Sequence, residues 1–413
     1  MLKYLWKNKL ILILLLLAIW LIPNVIGLSE QSQTESIVTA VGIDKLDNEY
    51  EVSLQYIVPS AAGGPEGLKL TTQKGKTVGE TIEKIKLKLG KLSGFAHCRF
   101  LAFNDKAGEE NITEMLDFLL RRKTNTNNII LINTPDSSKE LLLLSSQLNS
   151  DLYSYLNNNG FSNEFGEFYN LKTIGNFYDS YFSPVKCISI NRVKIKEANS
   201  RDSSGKQEQS QESSSSANSG GEGQSSTSSQ GKKEFENKGE LIIIKNAKKL
   251  LTLNEEQSDN LSWFNPEIKQ DQFSIENYSE GHLENSTILF NVSNKLYSTK
   301  VYFLNNTPTM EVNLKLYVRV GEVVSKNLKQ SDYEGLQKNY SSKLKKAMNE
   351  KLLSSLRQAE EHFKQNEYDV ISCFDTFFKF KNKELKNYLK TNSVQEFIKN
   401  VNFVYNIEFV QGH

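Results

Sequence analysis

An unbroken apolar run near the N-terminus, from Leu10 to Ile22, constrains this chain more than any other stretch. Lysines at positions 3, 7 and 9 precede the run, and no acidic residue does. As a helix the run alone would rise about 20 Å, whereas Leu10–Leu28 would rise about 28 Å, close to the roughly 30 Å hydrocarbon core of a bilayer. By the positive-inside rule, the segment predicts a cytoplasmic N-terminus, with the rest of the chain beyond the membrane.

Two other interpretations of this segment remain. An apolar stretch of this length also fits a cleaved secretory signal, although Val25, Ile26 and Gly27 offer a signal peptidase only one small residue. A buried core helix is disfavoured by the basic flank and the uniform apolarity. We therefore predict that residues 1–33 are a membrane anchor or a signal segment, and either one exports the body of the chain.

Charge and cysteine content exclude several classes of protein. The chain has 50 basic and 49 acidic residues, so it shows no basic excess for binding nucleic acid. Its cysteines, Cys98, Cys187 and Cys373, are odd in number and form no C-x-x-C pair. An exported chain with so few cysteines does not depend on a disulfide framework, and we expect the three to be small buried residues.

Strand and helix patterns alternate between residues 34 and 183. A β-branched stretch, Thr34–Asp44, is followed after a polar turn by alternating residues from Tyr50 to Tyr56, which predicts a hairpin. Thr77–Leu89 has a helical period, with Thr77 as its N-cap. Strand patterns follow at Phe95–Phe103 and Asn128–Ile132. This alternation predicts an N-terminal α/β domain over 34–183, with a mixed sheet covered by helices.

A Ser-, Gly-, Gln- and Glu-rich segment at 197–233 interrupts the next part of the chain. It has too few apolar residues to offset the entropy of ordering, so we predict a disordered loop there. The strand patterns at Val185–Lys196 and Glu240–Ile244 flank it, and we expect those strands to lie together. Residues 184–278 are therefore predicted to be a small β-rich middle domain that contains this loop.

The last part, 279–413, is predicted to be a C-terminal α+β domain. Met310–Val320 alternates apolar and polar residues, as in a half-exposed antiparallel strand. A long amphipathic helix follows, for which Ser331 is the expected N-cap, and it runs to Phe363. Val401–Val410 closes the chain as a strand. The fold class predicted for the whole chain is α+β, with mixed sheet and helix domains after the N-terminal membrane helix.

The sequence carries no recognisable catalytic or metal-binding pattern. The four histidines stand at 97, 282, 362 and 413 without ligand spacing, and no phosphate-binding loop or nucleophile elbow occurs. His97 and Cys98 are adjacent, but neighbouring strand residues point to opposite faces. We therefore predict that the chain is not an enzyme, and we predict no catalytic, cofactor-binding or metal-binding residues.

Several motifs resemble those of the Ger(x)C family, the C subunits of nutrient-germinant receptors in endospore-forming bacteria. Ile37–Asp44 reads IVTAVGID and is similar to a segment that follows the leader in that family. Three later segments resemble family segments in the same order, namely Ser93–Asn104, Gly239–Leu253 and Glu367–Phe380. The resemblance covers nearly all of the chain expected to be ordered.

This resemblance implies a three-domain α+β protein on the outer face of the inner spore membrane. Its implied partners are two integral-membrane proteins, the A and B subunits, in the response to small nutrients. The family supplies no catalytic or ligand motif. It does supply a lipobox cysteine, whereas this chain has Leu28 near that place and no cysteine before Cys98. The helix at Leu10–Leu28 would then replace the lipid as anchor, since a spanning helix holds far more durably than one acyl chain.

Two rival functions are consistent with an exported, non-catalytic chain. One is an extracytoplasmic solute-binding or cell-envelope binding protein unrelated to germination. The other is an envelope hydrolase, which the missing site motifs disfavour. The leading hypothesis is a membrane-tethered germinant-receptor subunit that acts by protein–protein contact.

Overall fold

A computed structural model describes residues 36–59, 65–90, 94–121, 126–147, 171–197, 233–236, 239–326, 333–336 and 339–412. The predicted anchor at Leu10–Leu28 lies outside these ranges. So do positions 198–232 of the predicted Ser-rich loop. Within the described ranges, no helix combines the length and apolarity needed to cross a membrane.

Strands and helices alternate along the described residues. The strands are β1 (Ile37–Lys45), β2 (Tyr50–Pro59), β3 (Pro65–Gly75), β4 (Phe100–Asn104), β5 (Ile130–Thr134), β6 (Cys187–Arg192), β7 (Lys194–Glu197), β8 (Lys233–Glu236), β9 (Leu241–Lys245), β10 (Lys248–Leu253), β11 (Asp271–Glu280), β12 (Leu283–Leu304), β13 (Thr307–Val324) and β14 (Asn402–Gln411). The helices that shape the fold are α1 (Val78–Leu89), α2 (Asp105–Glu109), α3 (Ile112–Leu120), α4 (Ser138–Gln147), α5 (Ile174–Phe182), α6 (Glu255–Ser262), α7 (Ser342–Gln365), α8 (Cys373–Phe380), α9 (Asn382–Tyr388) and α10 (Val394–Asn400).

Eight strands form one mixed sheet in the order β10-β9-β6-β5-β4-β1-β2-β3. The central strands β1, β4, β5 and β6 are parallel, and antiparallel strands flank them on both sides. At the centre Gly42 pairs with Ala102, and Ala102 pairs with Ile132. The predicted N-terminal hairpin is confirmed, since β1 and β2 pair antiparallel up to Lys45 opposite Tyr50.

Helices cover both faces of this large sheet, as the alternation of strands and helices predicts. One face packs against α1, α3 and α5 through fully buried side chains that include Ile82, Leu116 and Phe177. The opposite face packs against α4 through Leu141 and Leu142. The central strands are therefore apolar on both sides, as strands of a covered parallel sheet are.

Two local predictions in this part differ in outcome. The helix predicted at Thr77–Leu89 is confirmed, and the Thr77 hydroxyl accepts a hydrogen bond from the Glu80 N–H at 3.1 Å. The strand predicted from Phe95 begins only at Phe100, because Phe95–His97 form a short 3-10 turn. In that turn the Cys98 N–H donates to the Phe95 carbonyl at 3.0 Å, which is incompatible with an extended strand.

The middle domain at 184–278 stays a prediction, and the strands of this range belong to three sheets. β6, β9 and β10 extend the large sheet, and β11 begins the C-terminal sheet. Apolar strands bury both faces only inside a larger sheet, which explains this placement. The predicted contact between the strands that flank the Ser-rich segment is confirmed, with Ile190 opposite Ile242. β7 and β8 also pair, with Glu197 opposite Lys233.

A second sheet, in the order β11-β12-β13-β14, forms the C-terminal part. β14 pairs parallel to β13, and the other neighbours are antiparallel. The alternation predicted for Met310–Val320 is confirmed, since Val312, Leu314, Leu316 and Val318 are fully buried. The apolar stripe of α7, which includes Leu344, Leu352 and Phe363, joins them in one core.

α7 begins at Ser342, later than predicted, and the predicted N-cap Ser331 lies outside the described residues. Its N-cap is Ser341, whose hydroxyl accepts a hydrogen bond from the Leu344 N–H at 3.0 Å. Just before the cap, the Tyr340 hydroxyl donates to the Val318 carbonyl of β13 at 2.7 Å. This hydrogen bond holds Tyr340 against the sheet. The amphipathic pattern of the sequence begins before Tyr340, whereas the continuous helix begins after it.

Candidate functional site

The carboxyl ends of the parallel strands are the usual ligand position in an open α/β sheet, and here the protein's own groups occupy it. Asp44 is the last residue but one of β1 and is 2% exposed. Its carboxylate accepts hydrogen bonds from the Ser138 N–H at 2.7 Å and from the Ser137 hydroxyl at 2.6 Å. The N-terminal N–H groups of α4 therefore already face a protein carboxylate, which helix dipoles favour.

A second group of charged side chains fills the same edge beside β6. Arg192 is 8% exposed and donates to both carboxylate oxygens of Asp105, at 2.9 and 2.8 Å. Lys249 lies 2.8 Å from the same carboxylate. Burial alone would raise the pKa of Asp105, but Arg192 and Lys249 outweigh it and lower that pKa. The network ties α2 to β6 and β10 through charge-assisted hydrogen bonds.

The better candidate is a cavity of about 370 Å³ between the large sheet and the C-terminal sheet. β6 and β9 supply one wall. α6 and the loop after it supply another, and β12, β13 and the segment before α8 complete the lining. The lining side chains that matter for its chemistry are Lys172, Asn191, Ser258, Leu261, Phe264 and Met310.

Two polar side chains in this lining are buried without a hydrogen-bond partner. Asn191 is 3% exposed and its Nδ2 has none, while Ser258 is 5% exposed and its Oγ has none, within the described structure. Buried polar atoms are normally paired, because an unpaired one costs about 1–3 kcal/mol. Both atoms belong to residues that line one cavity, which makes this cavity chemically unusual within the fold.

Lys172 adds a positive charge to the wall that carries Asn191. The Leu131 N–H donates to the Lys172 carbonyl at 2.8 Å, and the next residue of β5, Ile132, pairs with Asn191. Burial lowers the pKa of Lys172, and the charge of the Glu267 carboxylate opposes that effect. Its ammonium forms no hydrogen bond or ion pair with another described residue. The wall therefore offers hydrogen-bond donors to an acceptor in the cavity.

The loop after α6 is held in place by a buried charged cluster. Lys295 is fully buried and donates to the Ser262 carbonyl at 2.8 Å, while the Ser262 hydroxyl donates to Asp271 at 2.8 Å. Burial raises the pKa of Asp271 to about 6 and lowers the pKa of Lys295 to about 8. The Lys295 ammonium also lies 5.6 Å from the centre of the Trp263 ring. This cluster fixes Phe264 and its neighbours beside the cavity.

The residues that the sequence singled out for possible chemistry lie elsewhere. His97 is exposed, whereas Cys98 is buried, and burial raises the pKa of the Cys98 thiol to about 12. Cys187 and Cys373 are likewise buried free thiols. The described residues contain no group of three or more side chains suited to hold a metal ion.

The cavity residues carry little sequence signal. Asn191 is the exception, because it is a buried polar residue that follows Ile188 and Ile190 in a strand that is covered on both faces. Ser258 looks like any polar residue of a short helix. Lys172 precedes α5, and only the pairing of its backbone with β5 brings it to the cavity.

Two family models match the chain one after the other. One is described as "Spore germination protein N-terminal domain" and matches residues 30–195. The other is described as "Spore germination B3/ GerAC like, C-terminal" and matches residues 239–410. The chain belongs to the Ger(x)C family. In this Ger(x)C chain the cavity lies between the two matched regions, with Lys172 and Asn191 in the first and Ser258 and Met310 in the second.

One curated relative and one solved structure are similar to this Ger(x)C chain. Spore germination protein KC of Bacillus subtilis (strain 168) is 29% identical over 153 residues, which cover 31% of this chain and 37% of that protein. The match thus spans little more than a third of the relative's length. The crystal structure of the GerBC protein superposes with a TM-score of 0.49 at 14% identity, covering 89% of this chain and 96% of that one.

Proposed function

We propose that this chain is an extracytoplasmic subunit of a spore nutrient-germinant receptor, tethered to the inner spore membrane and acting through contact with the two integral-membrane subunits. The observation that carries the proposal is the pair of spore-germination family models, matched in order over 30–195 and 239–410. Together these regions include both sheets and the interface between them. The proposal assigns the chain a role in assembly and no catalytic step.

The proposed tether is the apolar segment Leu10–Leu28. No cysteine precedes Cys98, so a thioether-linked lipid has no attachment point near the leader. A single acyl chain binds membranes marginally, whereas a spanning helix is held almost permanently. The tether predicts that the full chain stays in the membrane fraction after a high-pH wash, which strips peripheral proteins.

Exposed aromatic rings offer a surface for the proposed contact. Phe182 is 78% exposed at the end of α5, and Phe378 is 50% exposed on α8. The two helices meet where the Ser183 hydroxyl donates to Asp375 at 3.1 Å. Phe182 adjoins Ser183 in sequence, and Phe378 lies about one turn beyond Asp375. Aromatic residues are enriched at protein interfaces, so this aromatic pair is a suitable contact for a partner subunit.

Co-purification tests the proposed role directly. The tagged full chain is expressed in sporulating cells together with the two multi-span subunits, and membranes are solubilised in mild detergent. We expect the three proteins to purify together, and spores that lack this chain to lose their response to nutrients. Purification of this chain always alone, with germination unaffected by its deletion, would contradict the proposal.

The aromatic pair gives a sharper version of this experiment. We expect Phe182→Ser with Phe378→Ser to lower recovery of the partner subunits at least tenfold while leaving the melting temperature of the chain unchanged, because both rings are exposed. Leu87→Ser is the matched control, since Leu87 is 85% exposed on α1. Equal recovery from the double variant and the control would exclude this surface as the contact.

One observation favours a second candidate, an extracytoplasmic solute-binding protein, and that observation is the cavity. A ligand-dependent rise in melting temperature without any partner subunit would support it.

A further inference from the structure

The cavity between the two sheets has the features of a binding site for a small organic molecule. Its volume, about 370 Å³, suits a small organic molecule. Most ligand sites combine an apolar lining with a few polar groups that orient the ligand, and this lining has both. Leu261, Phe264 and Met310 supply apolar surface, while Asn191, Ser258 and Lys172 supply polar groups.

All three polar groups can donate a hydrogen bond. Asn191 Nδ2 is a donor, the Ser258 hydroxyl can donate, and the Lys172 ammonium donates and carries a positive charge. The first two are more than nine-tenths buried and have no hydrogen-bond partner within the described structure. Donors of these kinds bind an oxygen acceptor that carries negative charge, and a carboxylate presents two such oxygens.

We propose that this cavity binds a small organic carboxylate with a short apolar chain. The carboxylate accepts hydrogen bonds from Asn191 and Ser258 and pairs with Lys172, while the apolar chain packs against Leu261, Phe264 and Met310. The lining has three acidic residues. Asp259 and Glu267 are exposed, and Asp271 already accepts the Ser262 hydroxyl at 2.8 Å and faces the charge of Lys295. This inference goes beyond the proposed function, which requires no ligand on this chain.

The test compares two probes that share one branched apolar chain. They are 4-methylpentanoate, which carries a carboxylate, and 3-methylbutylamine, which carries an ammonium. Binding to the purified full chain in non-ionic detergent is measured by titration calorimetry and by the shift in melting temperature. We expect the acid to bind and the amine to bind at least tenfold more weakly, because only the acid satisfies the donors. Equal binding of both probes, or no binding of the acid at millimolar concentration, would overturn the proposal.

Variants of the donors separate binding from folding. We expect Lys172→Met and Asn191→Leu each to weaken binding of 4-methylpentanoate at least tenfold, whereas Lys88→Met, a change at an exposed lysine of α1, leaves it unchanged. Asn191→Leu should not lower the melting temperature of the ligand-free chain, because it removes a buried amide nitrogen that lacks a partner.

Each variant also has an outcome that counts against the assignment. A marked loss of stability in Asn191→Leu would show that this amide is paired within the fold and would remove it from the site. Unchanged acid binding in Lys172→Met would exclude the charge pairing on which the carboxylate assignment depends. Failure of these binding experiments would leave co-purification with the membrane subunits unaffected, so the two proposals fail separately.

Discussion

Asp369 shows how one carboxylate both positions a helix and makes stability depend on pH. It is 5% exposed and accepts hydrogen bonds from the N–H groups of Cys373 at 3.0 Å and Phe374 at 2.8 Å, the first residues of α8. Ser372, just before the helix, adopts a left-handed conformation with φ at 57°. Burial raises the pKa of Asp369 to about 6 from its ordinary 3.8, although these hydrogen bonds oppose the shift.

A raised carboxyl pKa in the folded state makes this residue's contribution to stability decrease as pH rises. The folded protein holds the proton more tightly than the unfolded one, so the contribution is complete below about pH 4 and is lost as pH rises through 6. The size of the shift corresponds to roughly 3 kcal/mol between pH 4 and 7. We expect Asp369→Asn to remove this component from the free energy of unfolding, measured by urea denaturation across that pH range.

The control for this measurement is an exposed aspartate. Asp47 has a side chain that is 90% exposed, so Asp47→Asn should follow the wild-type pH dependence. If Asp369→Asn ran parallel to the wild type as well, the buried carboxyl would not titrate in this range and the expectation would be wrong.

The segment Ile37–Asp44 (IVTAVGID) positions the start of α4. A Cβ atom built on Gly42 of β1 would lie 2.8 Å from the Ser138 Oγ and 3.3 Å from the Ser138 backbone carbon, so α4 approaches the strand too closely for a side chain. Two residues later, Asp44 accepts the Ser138 N–H at 2.7 Å. Residues two apart on a strand share a face, so the glycine and the aspartate together dock the start of α4.

Substitution of this glycine tests the close approach. We expect Gly42→Ala to lower the free energy of unfolding by about 1–3 kcal/mol, because overpacking forces α4 away from the sheet. Gly79→Ala in α1 is the matched control. There the new Cβ would meet only the Phe118 Cβ at 3.9 Å, and alanine favours a helix, so we expect no loss of stability. Equal effects of the two changes in chemical denaturation would contradict this account.

The sequence predicts elements better than their boundaries or partners. Periodicity identifies α1 and β13 because each buries one face, and Thr77 marks the start of α1. The start of α7 is predicted wrongly, because the tie from Tyr340 to Val318 is a contact across the fold that no local pattern reports. For the same reason Lys172 and Ser258 could not be predicted as neighbours of one cavity.

The large sheet contributes side chains to the core of the C-terminal sheet, and β9 shows how. In β9 the side chains of Ile242 and Ile244 pack among the helices of the large sheet, whereas Ile243 between them packs in the core of the C-terminal sheet. Lys245, at the end of the same strand, donates to the Glu367 carbonyl at 2.6 Å. The alternation of side chains along β9 thus couples the two parts.

This coupling predicts one cooperative unfolding transition. We expect Ile243→Ala to lower the free energy of unfolding by about 2–4 kcal/mol, since Ile243 is fully buried, and to shift both parts together. The measurement compares far-UV circular dichroism with the fluorescence of Trp263, in a chain where Trp6 and Trp20 are replaced by phenylalanine. Val324→Ala, at a residue 60% exposed, should change little. Two separated transitions would show that the parts unfold independently.

The pairing of β7 with β8 affects how far the length of the segment between them can be changed. Because Glu197 lies opposite Lys233, the two ends of the intervening segment are already held side by side. Each doubling of the length between clamped ends costs only about 0.6 kcal/mol in closure entropy. Lengthening this span, shortening it or inserting a fluorescent reporter there should therefore cost little free energy, which makes it a suitable place to label the protein.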